Sequence, residues 1–379
     1  MKTLPFLLAI LAGTAALAAE PQFSDVFTAG KDGYPSIRIP SVVVTAKGTV
    51  LAFAEGRQKH NDQAENDIVM KRSADGGVTW SPLKVIQDDG ANSLNNPTAL
   101  VASNGRVFLI YQRIPAHLKE HSKDIATGFE GEDIYRTFLV TSDDDGLTWS
   151  APQDITRGTK HETGATTVAS GPGIGIELTR GPHQGRLVMP FNEGPYWKWN
   201  NYAAFSDDAG KTWQCGANVP GAFVPDAKLG ERSQINEVQM VELSDGSVRL
   251  NSRQFAGAKV RKTAVSKDGG ATWLPVEDVP ALRDPSCMAS IFRFSFDDAG
   301  GHGRVLYSGP DSTKRENGTL HLSTNDGATW PTQRVLWPGS FGYSVLTKLP
   351  NGMVGCLFET DSADRIVLAR FPIEWVSEK

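Results

Sequence analysis

Cysteine is scarce in this sequence, with three residues in 379. They are far apart along the chain, at positions Cys215, Cys287 and Cys356. Disulfide-rich scaffolds and zinc sites need more cysteines at closer spacing, so both classes are excluded. We expect buried thiols here, and a single disulfide among the three stays open.

Long apolar runs are missing after residue 19. Before it, residues 1–18 combine Lys2, an apolar stretch and the small residues Ala16-Leu17-Ala18, which is typical of a secretory signal peptide. This stretch is too short and wrongly flanked for a membrane span. We therefore expect export to the periplasm or the medium without membrane insertion. No cysteine stands at the cleavage point, which argues against a lipoprotein.

An excess of positive charge is also missing. The chain has 38 lysine and arginine residues against 43 aspartate and glutamate residues, a net charge of −5. Nucleic acids and anionic membranes are bound by basic surfaces, so neither is an expected partner. The 22 prolines and 38 glycines are scattered, and no linker or low-complexity block interrupts the chain. Residues 19–379 are therefore predicted to form one domain.

One octapeptide pattern, Ser-x-Asp-x-Gly-x-Thr-Trp, occurs five times, with Asn325 in place of Asp in the last copy. We call each copy an Asp box. The five Asp boxes are SADGGVTW at 73–80, SDDDGLTW at 142–149, SDDAGKTW at 206–213, SKDGGATW at 266–273 and STNDGATW at 323–330. A period near sixty residues indicates stacked supersecondary units.

Each Asp box has the composition of a hairpin turn. Asp and Ser side chains can accept hydrogen bonds from nearby backbone N–H groups, Gly accepts a positive φ, and Trp fills space beside the turn. The preceding segments, such as DIVMKR at 67–72 and TFLVT at 137–141, are typical of strands. Every unit is therefore predicted to be a small antiparallel sheet.

A calcium-binding loop is the competing interpretation of the Asp boxes. An EF-hand needs an acidic residue five places before its central glycine. The residues at that place are Arg72, Thr141, Phe205, Val265 and Leu322. We therefore predict a structural role for the boxes and no metal.

The spacing predicts an all-β fold, a six-bladed β-propeller of four-stranded antiparallel sheets. About 360 residues at about 60 per unit give six units, and radial repetition avoids long exposed sheet edges. Five blades carry an Asp box. The sixth is expected to be closed by pairing of the two chain ends, with RIVLARF at 365–371 as one strand.

Several arginines and acids stand in strand-like contexts, where an unpaired charge is costly unless it faces a shared cavity. One of them lies in the segment Ser36-Ile37-Arg38-Ile39-Pro40, which is followed by the five Asp boxes. This combination resembles the bacterial exo-α-sialidases of glycoside hydrolase family 33. The similarity runs from about residue 33 to residue 376.

The resemblance implies that three arginines grip the carboxylate of the sugar. They are Arg38, Arg253 in LNSRQ, and Arg315 in STKRENGTLHLS. Arginine suits this role because it is always charged and its planar fork pairs a carboxylate through two hydrogen bonds. By the same resemblance, Arg57 lines the pocket.

The segment AEGRQKHNDQAENDIV at 54–69 resembles the loop that carries the acid/base aspartate of these enzymes. Asp62 matches it, five residues before the strand residue Asp67. Glu65 is the alternative if the register is different. The sequon at Asn317 lies so close to Arg315 that a glycan would crowd the site, so we expect none and a bacterial source.

The remaining matches imply a nucleophile, its base and an orienting acid. Glu237 lies sixteen residues before Arg253 and matches the general base, and Tyr343 in FGYSVL matches the nucleophile. Glu359 in CLFE matches the acid that orients the first arginine. Sialic acid carries a carboxylate on its anomeric carbon, so a neutral phenol avoids the repulsion that an attacking carboxylate would meet. A phenol has a pKa near 10 and needs a base.

Two insertions interrupt the repeat. Residues 112–135 are polar and longer than a hairpin needs, so we expect them to overhang a site. Residues 195–205 are rich in aromatic side chains, and Tyr196, Trp197 and Trp199 could either stack on a sugar or belong to a blade core.

The function implied by the resemblance is hydrolysis of terminal α-linked sialic acids from glycoconjugates with retention, through a tyrosyl-sialoside, without metal or cofactor. Two alternatives stay open: a non-catalytic sialic-acid-binding propeller, and a trans-sialidase or anhydro-forming variant. The three arginines argue against a glycosidase for a substrate without a carboxylate. Linkage preference, the sialic acid variant and the oligomeric state are not determined by the sequence.

Overall fold

The computed structural model describes residues 18–297 and 303–377. The predicted signal peptide lies, except for Ala18, outside the described residues. Within them the chain forms 28 strands, β1 to β28, and four short helical segments. These segments are the α-helices α1 (Thr156–Thr159) and α2 (Glu374–Ser377) and the 3-10 turns Gly181–His183 and Asp361–Ala363. None of the helices in these two ranges is long and apolar enough to cross a membrane.

Most strands belong to four-stranded antiparallel meanders, which we call blades and number along the chain. Strand β1 (Gln22–Thr28) is the outer strand of the last blade. Blade 1 contains β2 (Ser36–Val44), β3 (Val50–Arg57), β4 (Asn66–Ser73) and β5 (Lys84–Gln87). Blade 2 contains β6 (Ser93–Val101), β7 (Val107–Ile114), β8 (Arg136–Ser142) and β9 (Gln153–Asp154). Blade 3 contains β10 (Val168–Ser170), β13 (Leu187–Glu193), β14 (Asn200–Ser206) and β15 (Gln214–Cys215). Of the two short strands between β10 and β13, β11 (Gly173–Ile174) pairs with β6 of blade 2 and β12 (Ile176–Glu177) pairs with β13.

The second half of the chain continues the same arrangement. The hairpin of β16 (Phe223–Asp226) and β17 (Gly230–Ser233) precedes blade 4, which contains β18 (Ile235–Glu242), β19 (Val248–Gln254), β20 (Val260–Ser266) and β21 (Glu277–Arg283). Blade 5 contains β22 (Ser290–Ser295), β23 (Arg304–Pro310), β24 (Glu316–Ser323) and β25 (Thr332–Ser340). Blade 6 contains β26 (Ser344–Lys348), β27 (Val354–Thr360), β28 (Arg365–Phe371) and β1.

The predicted all-β propeller is confirmed, but the blades are not six separate sheets. A parallel bridge between Asn66 and Ser93 joins blades 1 and 2 in one nine-stranded sheet, which β11 also joins through β6. Without the two-stranded sheet of β16 and β17, the separate sheets in the described residues therefore number five. Counted as antiparallel four-stranded meanders, the units number six among the described residues.

The inner strands of the blades are apolar because both of their faces are covered. All eight residues of β3 are buried, and its sequence VLAFAEGR is a continuous apolar run up to Ala54. Such runs are typical of strands packed on both sides. The outer strand β21 is mostly exposed, and charged residues stand at both of its ends. Glu55 and Arg57 are the exceptions in β3, and they stand at its end, beside the site described below.

The Asp boxes close the turns between the third and fourth strands of blades 1 to 5. In the first box, Ser73 Oγ accepts a hydrogen bond from the Gly77 amide (2.7 Å). The Asp75 carboxylate accepts hydrogen bonds from the Thr79 amide (2.9 Å) and the Thr79 hydroxyl (2.6 Å). The other four boxes repeat the two backbone contacts, with Asn325 Oδ1 as the acceptor in the last box. There the Asn325 side-chain amide donates to the Thr329 hydroxyl (2.8 Å). The box side chains therefore serve their own turn, as predicted.

Each box also packs against the preceding blade. A Cβ atom on Gly77 would lie 2.2 Å from a Leu368 methyl group of β28, so only glycine fits there. Gly146 and Gly210 face Leu51 and Phe108 of the preceding blades in the same way. Because the first box packs on blade 6, these contacts extend across the point where the ring closes.

The chain ends close the ring. Strand β28 coincides with the predicted segment 365–371 and pairs antiparallel with β1, where Phe23 lies opposite Ala369. Blade 6 has no Asp box. At its edge Trp375 of α2 stacks under the Arg334 guanidinium of blade 5, with 4.1 Å between the guanidinium carbon and the ring centroid.

All three cysteines are free thiols. Cys287 and Cys356 are buried, as expected, whereas Cys215 is half-buried. The structure therefore contains no disulfide among them.

Candidate active site

Arg38 is held by a buried carboxylate. It lies in β2 at a bulge, where the pairing with β3 changes register and Ile39 has a φ of 63°. Its Nε and Nη2 atoms donate to the two carboxylate oxygens of Glu359 (3.2 and 3.0 Å), and the Ile39 amide donates to the same group (2.9 Å). Burial opposes ionisation of Glu359, but the charge of Arg38 and these hydrogen bonds hold its pKa below the ordinary value. The pair fixes the direction of the arginine.

Tyr343, Glu237 and Arg253 form a closed hydrogen-bonded group. The Tyr343 hydroxyl donates to Glu237 Oε1 (2.5 Å), and Arg253 Nη1 donates to Glu237 Oε2 (2.6 Å) and to the Tyr343 oxygen (3.0 Å). Burial raises the pKa of Tyr343 far above its ordinary value, the Glu237 carboxylate adds to this, and the neighbouring arginines act against it. The phenol is therefore protonated and its proton points at a carboxylate.

Arg315 completes a set of three guanidinium groups around Tyr343. It lies in the loop before β24, is exposed, and donates from Nη2 to the Ser286 carbonyl (3.0 Å). Its guanidinium carbon lies 5.2 Å from the Tyr343 ring centroid, the same distance as that of Arg38. An anion placed above the phenol would therefore meet positive charge on several sides.

Asp62 lies in the loop between β3 and β4 and faces two arginines. Its Oδ1 accepts a hydrogen bond from Arg57 Nη1 (2.9 Å) and lies 3.6 Å from Arg38 Nη1. The side chain is 68% exposed. Partial desolvation raises its pKa, but Arg57 and Arg38 together bring the pKa below the ordinary value. The backbone carbonyl of Asp62 accepts hydrogen bonds from the side-chain amides of Asn66 and Asn95 (2.9 and 2.8 Å), which fix the loop.

A cavity of about 320 Å³ contains most of the residues singled out from the sequence. Those lining it are Arg38, Arg57, Asp62, Glu237, Arg253, Arg315 and Tyr343. Glu359 lies behind Arg38 and is buried. The alternative acid, Glu65, is exposed and lines neither this cavity nor the second one described below. The volume is in the range of small-molecule sites.

Both insertions contribute to the cavity wall. Glu120 and Tyr135 come from 112–135, so this insertion borders the cavity as expected. From the aromatic insertion, Tyr196 and Trp199 line the cavity, whereas Trp197 stacks against the Arg232 guanidinium at 4.4 Å.

Two glutamates of the site were missed in the sequence. Glu55 is fully buried and binds Arg57 (Nη2 to Oε2, 2.6 Å), and the Asn96 amide donates to its other oxygen (2.7 Å). The only signal for it was a charge at the end of an apolar strand. Glu120 is half-buried, and burial together with the charges of Asp62 and Glu237 raises its pKa to about 7. It stood in a loop with many charges, so no pattern distinguished it.

The family model described as "BNR repeat-like domain" matches residues 48–356. Sialidase-2 of Mus musculus is 30% identical over 377 residues, which cover 91% of this chain and 94% of that protein. The chain belongs to the sialidase family.

Other members of the sialidase family are longer than this chain. A sialidase of Micromonospora viridifaciens is 34% identical over 378 residues, which cover 94% of this chain and 55% of that protein. A sialidase of Bacteroides fragilis is 30% identical, with 88% and 62% covered. The chain thus spans somewhat more than half the length of these two relatives.

The solved structures agree with the fold. The structure of "Hadza microbial sialidase Hz136" superposes with a TM-score of 0.80 at 28% identity, over 93% of this chain and 69% of that one. In the described parts of the chain, no group of three His, Cys, Asp or Glu side chains is arranged to hold a metal ion.

Proposed function

We propose that this chain is an exo-α-sialidase that releases terminal α-linked sialic acids from glycoconjugates with retention of configuration. The observation that carries the proposal is the contact of the buried Tyr343 phenol with Glu237 in the middle of three arginines. A protein that only binds an acidic sugar needs the arginines. It gains nothing from a carboxylate paired with a buried phenol, because burying that charge is costly.

The arginines are proposed to bind the substrate carboxylate. Arg38, Arg253 and Arg315 approach Tyr343 from blades 1, 4 and 5. Charge-assisted bonds to a carboxylate are about twice as strong as neutral ones, and bidentate pairing fixes orientation. A sialic acid held this way places its anomeric carbon, which bears the carboxylate, next to the Tyr343 oxygen. Arg57 has no part in this grip, because Glu55 and Asp62 occupy it.

The first step transfers the sugar to the protein. The Tyr343 oxygen forms a bond to the anomeric carbon while its proton moves to Glu237. The bond to the glycosidic oxygen breaks, and Asp62 gives its proton to the departing alcohol. Asp62 is ionised in the free protein because of Arg57 and Arg38. A bound substrate carboxylate offsets this positive charge, so binding raises the pKa of Asp62 and allows it to be protonated.

The second step releases the sugar. Asp62, now a carboxylate, removes a proton from a water molecule, and the oxygen of that water attacks the anomeric carbon. The bond to Tyr343 breaks, and Glu237 returns the proton to the phenolate. Two displacements at one carbon give net retention. The substrates proposed are sialylated glycans, glycoproteins or glycolipids, and export through residues 1–18 to the periplasm or medium belongs to the same proposal.

The test is release of fluorescent aglycone from 4-methylumbelliferyl α-N-acetylneuraminide by wild type and by Tyr343→Phe. We expect turnover by the wild type and a loss of at least about 10²-fold in the variant. The variant should still bind the substrate, because the arginines are intact. Wild-type turnover by Tyr343→Phe would remove the tyrosine from the nucleophile role. NMR of the first product formed distinguishes free α-sialic acid from a transfer or anhydro product.

A further inference from the structure

Asp284 is a buried carboxylate (2% exposed) that has no part in the proposed reaction. It lies between β21 and β22, where the chain passes from blade 4 to blade 5. A second cavity, of about 560 Å³, adjoins the active-site cavity and shares the lining residues Arg38, Arg57, Asp62 and Arg315 with it, and Asp284 lines neither cavity. A buried charge is costly unless it is paired and hydrogen-bonded, so the partners of Asp284 show which groups it holds.

One oxygen of Asp284 is bonded to the backbone beside Arg253. Its Oδ2 accepts a hydrogen bond from the Gln254 backbone amide (2.7 Å). This N–H belongs to the peptide unit that joins Arg253 to Gln254 at the end of β19. The same oxygen accepts a hydrogen bond from Arg261 Nη1 (3.0 Å), and Arg261 Nε donates to Asn251 Oδ1 (2.7 Å), two residues before Arg253. The chain is therefore fixed on both sides of Arg253.

The other oxygen of Asp284 is bonded to the group that supports Arg315. Its Oδ1 accepts a hydrogen bond from the Cys287 backbone amide (2.9 Å). This N–H and the Ser286 carbonyl belong to one planar peptide unit, in which the two groups point in opposite directions. The Ser286 carbonyl accepts the hydrogen bond from Arg315 Nη2 (3.0 Å). Asp284 therefore sets the direction of the carbonyl to which Arg315 is bonded.

Further contacts fix the turn that contains Asp284. Ser286 has a φ of 62°, in the left-handed region that residues other than glycine rarely adopt. The Gln254 side-chain amide donates to the Ser286 hydroxyl and to the Asp284 carbonyl (3.4 Å). Arg261 Nη1 also donates to the Cys287 carbonyl (2.7 Å). An unfavourable backbone conformation persists only where its surroundings determine it, and these contacts do so here.

We infer that Asp284 is a positioning residue for recognition of the substrate carboxylate, because it holds Arg253 and the carbonyl support of Arg315 in one arrangement. The inference rests on the proposed function for the identity of the bound anion. Two guanidinium groups bind one carboxylate strongly only when both have the correct orientation. Stability alone does not account for the buried pair of Asp284 and Arg261, since well-packed apolar residues would be about as stable in its place.

This role of Asp284 parallels that of Glu359. Glu359 holds Arg38 by direct hydrogen bonds, and its side chain is also buried. Asp284 acts on Arg253 and Arg315 through two peptide units instead. Each arginine proposed to bind the substrate carboxylate is thus supported by a buried acid outside the reaction.

The test compares two ligands that differ only in the carboxylate, the 2,3-unsaturated analogue of N-acetylneuraminic acid and its methyl ester. The dissociation constant of each is measured by isothermal titration calorimetry for wild type and variants. We call the ratio of the ester's Kd to the acid's Kd the carboxylate preference. A general loosening of the cavity weakens both ligands equally and leaves this preference unchanged, whereas misplaced arginines weaken the acid more.

We expect Asp284→Asn to lower the carboxylate preference at least about tenfold, the value of one charged hydrogen bond. Gln254→Met removes the side-chain contacts with the turn but keeps the Gln254 backbone amide, so we expect a fall of about threefold. Asp278→Asn is the matched control and should leave the preference unchanged. Asp278 pairs with the buried Lys262 in the same blade and lines neither cavity.

The outcomes separate this inference from the proposed function. Equal weakening of both ligands in folded Asp284→Asn overturns the inference, because Asp284 would then act on stability alone. If Asp284→Asn does not fold, an unchanged preference in Gln254→Met overturns it, and so does a fall in Asp278→Asn as large as that in Gln254→Met. A wild type that prefers the acid but turns over no sialoside overturns the proposed enzyme, whereas loss of that preference in Asp284→Asn still supports the positioning role.

Discussion

Tyr343 is surrounded by charges of both signs, and their balance determines what it can do. Burial and the Glu237 carboxylate raise the pKa of the phenol, and the arginines lower it. When the substrate carboxylate binds, it offsets part of the arginine charge, so the phenol becomes still harder to ionise. A free phenolate is then a poor candidate for the attacking species. The proton must leave during attack, which explains why Glu237 lies within hydrogen-bond distance.

Removing Arg315 should weaken both binding and turnover. Among the described residues, the Arg315 guanidinium donates a hydrogen bond to the Ser286 carbonyl alone, so it is available for a ligand. We expect Arg315→Ala to lower kcat/KM about 10- to 100-fold, the value of a charged hydrogen bond. Arg315→Lys should recover only part of this, because lysine lacks the planar fork.

The control for this prediction is Lys314→Ala, which removes an exposed charge from the same loop. Lys314 lines neither cavity, so steady-state kinetics should be close to wild type. Equal losses of kcat/KM in Arg315→Ala and Lys314→Ala would mean that turnover depends on the net charge of the loop and not on the Arg315 guanidinium.

Glu120 should make stability depend on pH. Burial and two neighbouring carboxylates raise its pKa from 4.5 to about 7. The unfolded chain therefore loses this proton more readily than the folded one, and the free energy of unfolding falls as pH rises from about 4.5 to 7. Glu120→Gln removes this loss. We expect the variant to be more stable than wild type by about 2 kcal/mol at pH 8, with a much smaller difference near pH 5.

Urea unfolding at a series of pH values measures this difference. Glu132→Gln is the matched control, because Glu132 is an exposed glutamate of the same insertion. A difference between Glu120→Gln and wild type that is constant from pH 5 to pH 8 would contradict the titration of Glu120 in this range.

The sequence was informative about residues that stand in short recurring motifs. Arg38, Glu237 and Tyr343 could be assigned to a site because each stands in a segment that resembles the family. The structure brings all three to one cavity. Glu55 and Glu120 could not. Their surroundings depend on chain segments distant in sequence, such as the Asn96 amide for Glu55, and nothing local indicates those contacts.

At the scale of elements, the Asp boxes connect blades as well as turns. Gly77 has a φ of 89° and a Leu368 methyl group where a Cβ would stand, whereas Gly76 has a φ of 72° and open space around it. Gly76→Ala should lower the free energy of unfolding by about 1 kcal/mol, because alanine is less favourable than glycine in the left-handed region. Gly77→Ala should lower the free energy of unfolding by about 3 kcal/mol, because its methyl group would also clash with blade 6.

Thermal and urea unfolding of the two variants test this comparison between neighbouring glycines of one turn. Equal destabilisation would mean that the contact of the box with blade 6 contributes nothing to stability, and that backbone conformation accounts for the whole effect.

The repeat spacing predicted the blades better than it predicted their boundaries. Turn residues and apolar alternation are local, so the boxes and strands could be located in the sequence. The joining of blades 1 and 2 depends on a bridge between Asn66 and Ser93, which only the folded arrangement brings together. The sequence left the role of Trp199 undecided for the same reason. Trp199 is buried and also borders the cavity, and the same sequence pattern is expected for a core aromatic and for a sugar-stacking one.

At the scale of the whole molecule, stability depends on the seam where the ring closes. Strand β1 pairs with β28, and Ser24 of β1 donates a hydrogen bond from its hydroxyl to the Gly77 carbonyl of the first box (2.7 Å). This one strand therefore contacts both blade 6 and blade 1. Loss of its packing would expose the edge of β28, and unpaired edges favour association with other chains.

The matched pair of phenylalanines in β1 tests how much this seam contributes. Phe27 is 1% exposed within the apolar core, and Phe23 is 43% exposed at the other end of the same strand. Phe27→Ala should lower the free energy of unfolding by about 3–5 kcal/mol and Phe23→Ala by about 1 kcal/mol. Because each blade packs on the next, unfolding of Phe27→Ala should remain a single transition in which tryptophan fluorescence and aryl sialoside turnover are lost together. Separate transitions would mean that blade 6 can open while other blades remain folded, and the ring would then be less cooperative than its packing implies.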